Sequence, residues 1–538
     1  VCCILGIAEH FVMTFKGEAI LPSDILALGT AMEVSEGYEF TFTSGIVTSL
    51  ALLEISLGLL SLIRPQKLRT PALVFPVIAG NLCAFLLVSV VSLLGFSSID
   101  LEQALDFGFD RWQPICTYVS QGFITSFTEM VNELPIEKPE GYTDDETKNI
   151  EQELVAAYDS TYGSSEQRTA AVAQFNEIKP TVVAVMNESF TDLSCFEQLQ
   201  AAGYFGPTFY NSLPDTLVRG TMLASVAGGG TANSEFEFLT GATTAFVGVG
   251  KIPYQLYQMS DVDSLAKDLK ELGYTATAMH PQNPVNYHRD KIYQQLGFGD
   301  FLSIDDFEGA SYYHAGVCDY VTYDKILELL RTNEAPQFIF DVTMQNHGGY
   351  EVGSVPAEEL TNYCVEGASE GTNAMLNTYL TCINASDRDL EHFINELRNI
   401  GRPVVLVFFG DHQPSIAAAL NDELYPQEDT ASHAFRIHQS TYFVWANYEI
   451  AGNTELNVYD TVGANEIAAI ALNKIGAPLT DYQKALLATR SDVPTINVAG
   501  YLGADGLRYD LESEDSPYTS TIDKLRRVQY LEFATKVQ

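Results

Sequence analysis

Two long apolar runs stand near the start of the chain, and short apolar runs alternating with amphipathic stretches fill the rest. Crossing a bilayer as a helix takes about 20 mostly apolar residues. Residues 45–63, interrupted by Glu54, and residues 72–96, free of charge, both approach that length. The loop between them carries Arg64, Lys67 and Arg69, and basic loops stay on the cytoplasmic side. This places the acidic loop of about residues 16–44 and everything after Phe96 outside the cell. Residues 1–15 are apolar as well and read as the end of an earlier span. The chain opens at Val1 without an initiator Met, and without the basic start, short apolar core and small-residue cleavage site of a signal peptide. The expectation is a multi-pass transmembrane region over 1–96.

Residues 97–175 read as an extracellular connector. Glu137-Lys-Pro-Glu-Gly-Tyr142 is a turn signal, and an amphipathic helix is predicted over 144–158. From Lys179 the pattern becomes α/β, with a largely parallel sheet and helices on both faces. Four strand signals run straight into polar side chains. Residues 182–186 lead to Asn187 and Glu188, 274–279 to His280, 338–344 to Gln345, Asn346 and His347, and 404–409 to Gly410, Asp411 and His412. Open α/β sheets carry their sites outside the carboxyl ends of the strands. The catalytic domain is therefore placed at 176–481. A C-terminal subdomain over 482–538 is expected to add a small sheet or helix, with a turn-rich stretch at 501–510 and a helix over 521–536.

Charge and cysteine content refine this division. A net charge of −41 excludes a nucleic-acid binder, which needs clustered Lys and Arg, and suits a solvated exterior domain. The eight cysteines contain no CxxC pair. Cys364 and Cys382 could pair outside the cell or remain as thiols.

Candidate chemistry gathers at the strand ends. Asp411 and His412 offer a hard oxygen and an imidazole side by side; the alternative is an ordinary surface ion pair. Glu188 could join them or simply cap a helix. Together, two carboxylates and an imidazole suit one hard or borderline divalent cation: Mn²⁺, Mg²⁺ or Zn²⁺. Gly228-Gly-Gly-Thr231 precedes a predicted helix, where a hydroxyl meets the positive helix end. Thr231 is either a nucleophile activated by a metal or a plain helix cap. Arg289 could grip a phosphoryl group through its planar fork or be a surface charge beside Asp290. His280 and His347 could bond the same oxygens or move protons, or be satisfied strand-end histidines. His288, His314, His392, His433 and His438 are assigned no role.

Five segments together resemble the lipoteichoic acid synthase family of the alkaline phosphatase/sulfatase superfamily. They are Met186-Asn-Glu-Ser-Phe190, Gly-Gly-Thr231-Ala-Asn-Ser-Glu-Phe-Glu, His280 with Tyr-His-Arg289-Asp, Gln345-Asn-His347, and Phe409-Gly-Asp-His412. The stretches Phe15-Lys-Gly-Glu-Ala-Ile-Leu-Pro-Ser-Asp24 and 137–142 resemble its membrane and juxtamembrane parts. The resemblance implies an alkaline phosphatase/sulfatase-like fold behind an N-terminal transmembrane region. It implies one metal, usually Mn²⁺, on Glu188, Thr231, Asp411 and His412, with Thr231 as nucleophile. His280, Arg289 and His347 would hold the phosphoryl group or shuttle protons. The implied activity is phosphoglycerol transfer at the outer face of a Gram-positive-type cell membrane. The donor would be phosphatidylglycerol, the intermediate a glycerophospho-threonine, and the acceptor an envelope polymer or glycolipid. Hydrolysis of the same intermediate, as by a phosphodiesterase or phosphatase, is the alternative. Two positions depart from the family pattern: Tyr287 replaces a Trp two residues before the Arg, and Gln282 replaces an Asp two residues after the first His. Both contribute to the glycerol pocket in such synthases. The Cys/Ser-x-Pro-x-Arg signature from which sulfatases make formylglycine is missing, which argues against sulfate-ester hydrolysis.

Overall fold

Short runs rich in Val, Phe and Ile form the central sheet of the computed structural model, which describes residues 6–10, 20, 43–61, 118 and 120–537. Its eight strands are β1 (Thr181–Asn187), β2 (Thr216–Leu223), β3 (Thr275–Met279), β4 (Asp300–Leu302), β5 (Gln337–Val342), β6 (Val404–Gly410), β7 (Gln439–Ala446) and β8 (Val458–Gly463). The spatial order is β8-β2-β7-β6-β1-β5-β3-β4. Every strand runs parallel to the others except β7, which pairs antiparallel with both β2 and β6. β1, β5 and β6 are buried along their whole length, as expected when both faces of a parallel sheet are covered.

Alternation along these strands sends neighbouring side chains to opposite layers. On one face Phe340 of β5 and Phe409 of β6 pack against Phe238 of helix α1 (Thr231–Thr240), with ring centroids 5.6 and 4.8 Å apart. On the other face Val183, Val185, Ile339, Leu406 and Phe408 share a core with helices α2 (Asp319–Thr332) and α3 (Glu370–Arg398). Aromatic pairs of this kind add about 0.5–1.5 kcal/mol each beyond area burial. The architecture is thus a mostly parallel α/β sheet with helices on both faces.

The helix over Asp144–Tyr158 is capped by the Thr143 side chain, which accepts from the backbone N–H of Glu146. It packs on the helices Asp481–Thr489 and Thr519–Gln529, and the Tyr158 hydroxyl donates to Asn473 Oδ1 at 2.6 Å. The C-terminal part adds an antiparallel sheet of β9 (Thr495–Asn497), β10 (Gly500–Leu502) and β11 (Arg508–Tyr509). Val493, Ile496, Tyr501 and Ile522 form its core. Cys364 and Cys382 are both free thiols, the first exposed and the second buried in α3.

The chain forms two compact units, residues 136–254 with 258–538, and residues 1–135 with 255–257. Within the second, Ser44–Ser61 and Phe123–Glu133 are helical. Ser44–Ser61 covers most of the predicted span at 45–63 and exposes Val47, Leu52 and Ile55. Among the described residues, however, no helix is long and apolar enough to cross a membrane. Glu54 sits midway along the described part of the Ser44–Ser61 helix. The predicted span at 72–96 lies outside the described residues, as do all of 1–15 but 6–10.

Candidate active site

β1 and β6 are hydrogen-bonded neighbours in parallel register, with Asn187 opposite Gly410. Their next residues, Glu188 and Asp411, therefore leave the sheet side by side. Gly410 permits this crowding, because a Cβ there would lie 1.8 Å from the Phe190 carbonyl oxygen. The backbone N–H of Ser189 donates to Asp411 Oδ1 at 2.7 Å, and so does that of His412 at 2.9 Å. Ser189 has a left-handed backbone, φ 53°, and its hydroxyl donates to Glu188 Oε1 at 2.9 Å. The Glu188 backbone N–H is held by Thr343 Oγ1 at 3.1 Å.

Glu188, Asp411 and His412 are all buried, and their ligand-capable atoms lie within 4.8 Å of one another. His412 Nδ1 faces the Gln413 carbonyl at 2.8 Å. A carbonyl can only accept, so Nδ1 carries the proton and Nε2 presents a lone pair. Nε2 lies 3.0 Å from Asp411 Oδ2, yet neither atom makes a hydrogen bond. Buried polar atoms are normally satisfied. Two orphans converging beside a second carboxylate fit a divalent cation, with His412 in the metal-binding tautomer and its other nitrogen tied to a backbone carbonyl. Burial and the charge of Asp411 push the Glu188 carboxyl well above the usual carboxylate range, against the hydrogen bond from Ser189 and the field of Arg289.

Thr231 is the first residue of α1, and the cap position falls to Gly230, whose backbone is left-handed at φ 87°. The threonine is therefore not a capping residue. Its hydroxyl instead lies beside the Glu188 carboxyl and works against the upward shift of that group. The adjacent Ser234 hydroxyl donates to the Asp411 carbonyl at 2.7 Å, and the Gly228 N–H to that of Gln413 at 2.9 Å. These bonds lock the glycine loop and α1 onto the β6 turn.

The remaining candidates surround this cluster. His280 is buried with Nδ1 2.9 Å from the Val342 carbonyl; burial first, then Arg289, lowers its pKa well below the ordinary histidine value. His347 is also shifted down by burial, while Asp411 opposes the shift and His412 adds to it. Tyr287 is half-buried with a left-handed backbone at φ 55°, and Arg289 lies over its ring at 5.1 Å. Burial, together with the charges of Glu235, Glu188 and Asp411, raises the phenol pKa despite Arg289. Gln282 lies on the same loop, and its Oε1 accepts from the Asn283 N–H at 2.9 Å.

Arg289 is 2% exposed. Its Nε donates to Glu235 Oε1 at 2.9 Å, and Nη2 donates to the same oxygen. The Tyr293 hydroxyl donates to Glu235 Oε2 at 2.7 Å. Burial alone would depress the guanidinium pKa, but the Glu235 carboxylate overrides it and the net shift is upward. Sequence reasoning missed Glu235 and Tyr293. A carboxylate between Ser234 and Phe236 has a one-turn spacing from Thr231, but nothing local reveals its partner. His314, assigned no role from sequence, places Nε2 3.1 Å from the His347 carbonyl and stacks on Tyr350.

Residues 180–469 match the family model described as Sulfatase. The chain belongs to the sulfatase family. A Rhizobium meliloti (strain 1021) protein named for cyclic beta-1,2-glucan modification is 27% identical over 343 residues, 62% of this chain and 50% of its own length. The lipoteichoic acid synthase-like protein YvgJ of Bacillus subtilis (strain 168) is 27% identical over 198 residues, 36% of this chain and 29% of its own. This sulfatase-family chain spans half or less of the length of each curated relative it matches. Among solved structures, the Streptococcus pyogenes phosphoglycerol transferase GacH in complex with sn-glycerol-1-phosphate superposes with a TM-score of 0.56 at 23% identity. That match covers 73% of this chain and 94% of the other, and it shares the fold described above.

Proposed function

We propose that this chain is a metal-dependent phosphoglycerol transferase acting at the outer face of a cell membrane. The observation that carries the reading is the meeting of Glu188, Asp411 and His412, with two unsatisfied buried ligand atoms, beside the hydroxyl of Thr231. The names of YvgJ and GacH support the class of reaction, and the five motifs support the donor, phosphatidylglycerol, and an envelope polymer or glycolipid as acceptor.

In this mechanism Glu188, Asp411 and His412, with Thr231, hold one divalent cation, Mn²⁺ in the first instance. When bound, it lowers the pKa of the threonine hydroxyl and offsets phosphoryl charge. Thr231 Oγ attacks the phosphorus of the donor diester. The bond to the lipid oxygen breaks, diacylglycerol leaves with a proton, and glycerol phosphate stays esterified to Thr231. An acceptor hydroxyl then attacks the same phosphorus, its proton is lost, and Thr231 is released. His280 is fixed with Nδ1 towards Val342, so Nε2 is the nitrogen free to take or return a proton. His347 and Arg289 border the transferring group, and Tyr287 and Gln282 line the glycerol side. A tether near the membrane raises the effective concentration of a lipid donor.

The test uses the full chain reconstituted in liposomes containing phosphatidylglycerol. Mn²⁺-dependent release of diacylglycerol is expected, with none from Thr231→Ala; equal release from the variant would refute the mechanism. Coupled product on addition of a glycolipid distinguishes transfer from hydrolysis, which gives free glycerol phosphate.

A further inference from the structure

Glu235 stands one helical turn beyond Thr231 and is fully buried at 0% exposure. Both its oxygens are engaged by Arg289 and Tyr293. A guanidinium facing a phosphoryl group usually contributes a full positive charge to it. Here that charge is already met by a carboxylate in the same dry pocket.

Resting on the transferase reading above, we propose that Glu235 is a specificity-determining residue that matches this site to singly charged phosphodiesters and against doubly charged phosphomonoesters. The charge count is direct. Glu188 and Asp411 balance one divalent cation, Glu235 balances Arg289, and both His280 and His347 are held towards the neutral form by burial. These groups sum to zero, so a bound diester leaves the site at −1 and a doubly charged monoester leaves it at −2. A phosphomonoester carries between one and two negative charges near neutral pH, since its second pKa is about 6, whereas a diester carries one. In a buried site an uncompensated charge is expensive, because desolvation is not repaid. Neutralising Glu235 frees the charge of Arg289 and should shift preference towards monoesters.

The experiment compares kcat/KM for bis(p-nitrophenyl) phosphate and p-nitrophenyl phosphate, with Mn²⁺ and glycerol, in the full chain. Glu235→Gln is expected to lower the diester-to-monoester ratio about tenfold, of the order of a single charge-assisted contact. Glu235→Asp keeps the charge and should keep the ratio. A second readout is independent of turnover: in the Thr231→Ala background, Glu235→Gln should tighten binding of inorganic phosphate relative to dimethyl phosphate. If Glu235→Gln does not fold, judged by its thermal melt, Arg289→Met makes the opposite charge change and must raise the ratio. Equal loss on both esters in Glu235→Gln, or a ratio that does not rise in Arg289→Met, overturns the inference and indicates a scaffolding role. A wild type with no Thr231-dependent activity would instead overturn the transferase reading beneath it.

Discussion

Asp411 Oδ2 and His412 Nε2 lie 3.0 Å apart in the buried turn just beyond β6, without a hydrogen bond between them or to any other group. Here Asp411 Oδ1 is spoken for by two backbone N–H groups and His412 Nδ1 by a carbonyl. Only the facing atoms are left to bind a cation.

Metal should therefore stabilise the fold. Chelation is expected to lower the melting temperature, and Mn²⁺ to restore it in a concentration-dependent way, since a ligand at 100 times its Kd adds about 2.7 kcal/mol. His412→Ala should abolish the metal-dependent shift and reduce turnover by more than about 100-fold, since even supporting groups at metal sites are worth 10–100-fold. An undiminished shift in His412→Ala would place the cation elsewhere.

Glu188 gives this metal binding a definite pH dependence. Its carboxyl is held well above the ordinary range by burial and by Asp411. The metal-free folded state thus retains a proton that the unfolded chain loses near the usual Glu value of about 4.3. More protons bound in the folded state means that this group's contribution falls as pH rises from about 4.3 through its raised pKa. Cation binding requires the carboxylate and releases the proton. Calorimetric titrations in buffers of different ionisation enthalpy should show net proton release, and affinity should rise with pH. Affinity independent of pH would remove Glu188 from the ligand set.

Gly410 is the steric hinge between strand and site. Gly410→Ala would drive a methyl group into the Phe190 carbonyl, at 1.8 Å, and near Ser440 Oγ, at 2.7 Å. Overpacking typically costs about 1–3 kcal/mol, and backbone must move here, so the upper end is expected in chemical denaturation. Displacing Asp411 should weaken Mn²⁺ binding as well; a variant with normal stability and affinity would contradict the close packing.

His280 predicts the acid side of the stability profile. Its pKa is lowered in the fold by burial and Arg289, so the unfolded chain binds the extra proton first. Stability from this residue is complete above the unfolded value of about 6.5 and is lost as pH falls below it. His280→Gln should flatten the decline in melting temperature between about pH 6.5 and 5, measured with metal removed.

The apolar runs of β1, β5 and β6 were legible because strands covered on both faces read as continuous hydrophobic segments, and such strands carry sites at their carboxyl ends. The helix over Asp144–Tyr158 was legible from its period and its threonine cap. The sequence also brought Glu188, Thr231, Asp411 and His412 forward as residue types suited to one chemistry. It left each with an ordinary alternative, because hydrogen-bond partners are not local. Whether Thr231 capped a helix was decided by Gly230 taking the cap, and whether Asp411 and His412 were a surface pair was decided by burial. The pairing of Arg289 with Glu235 joins residues 54 positions apart, which no periodicity encodes. Composition and order determined the type of sheet and the supply of reactive groups; tertiary structure determined which atoms remained unsatisfied, because that depends on every neighbour the fold brings within reach.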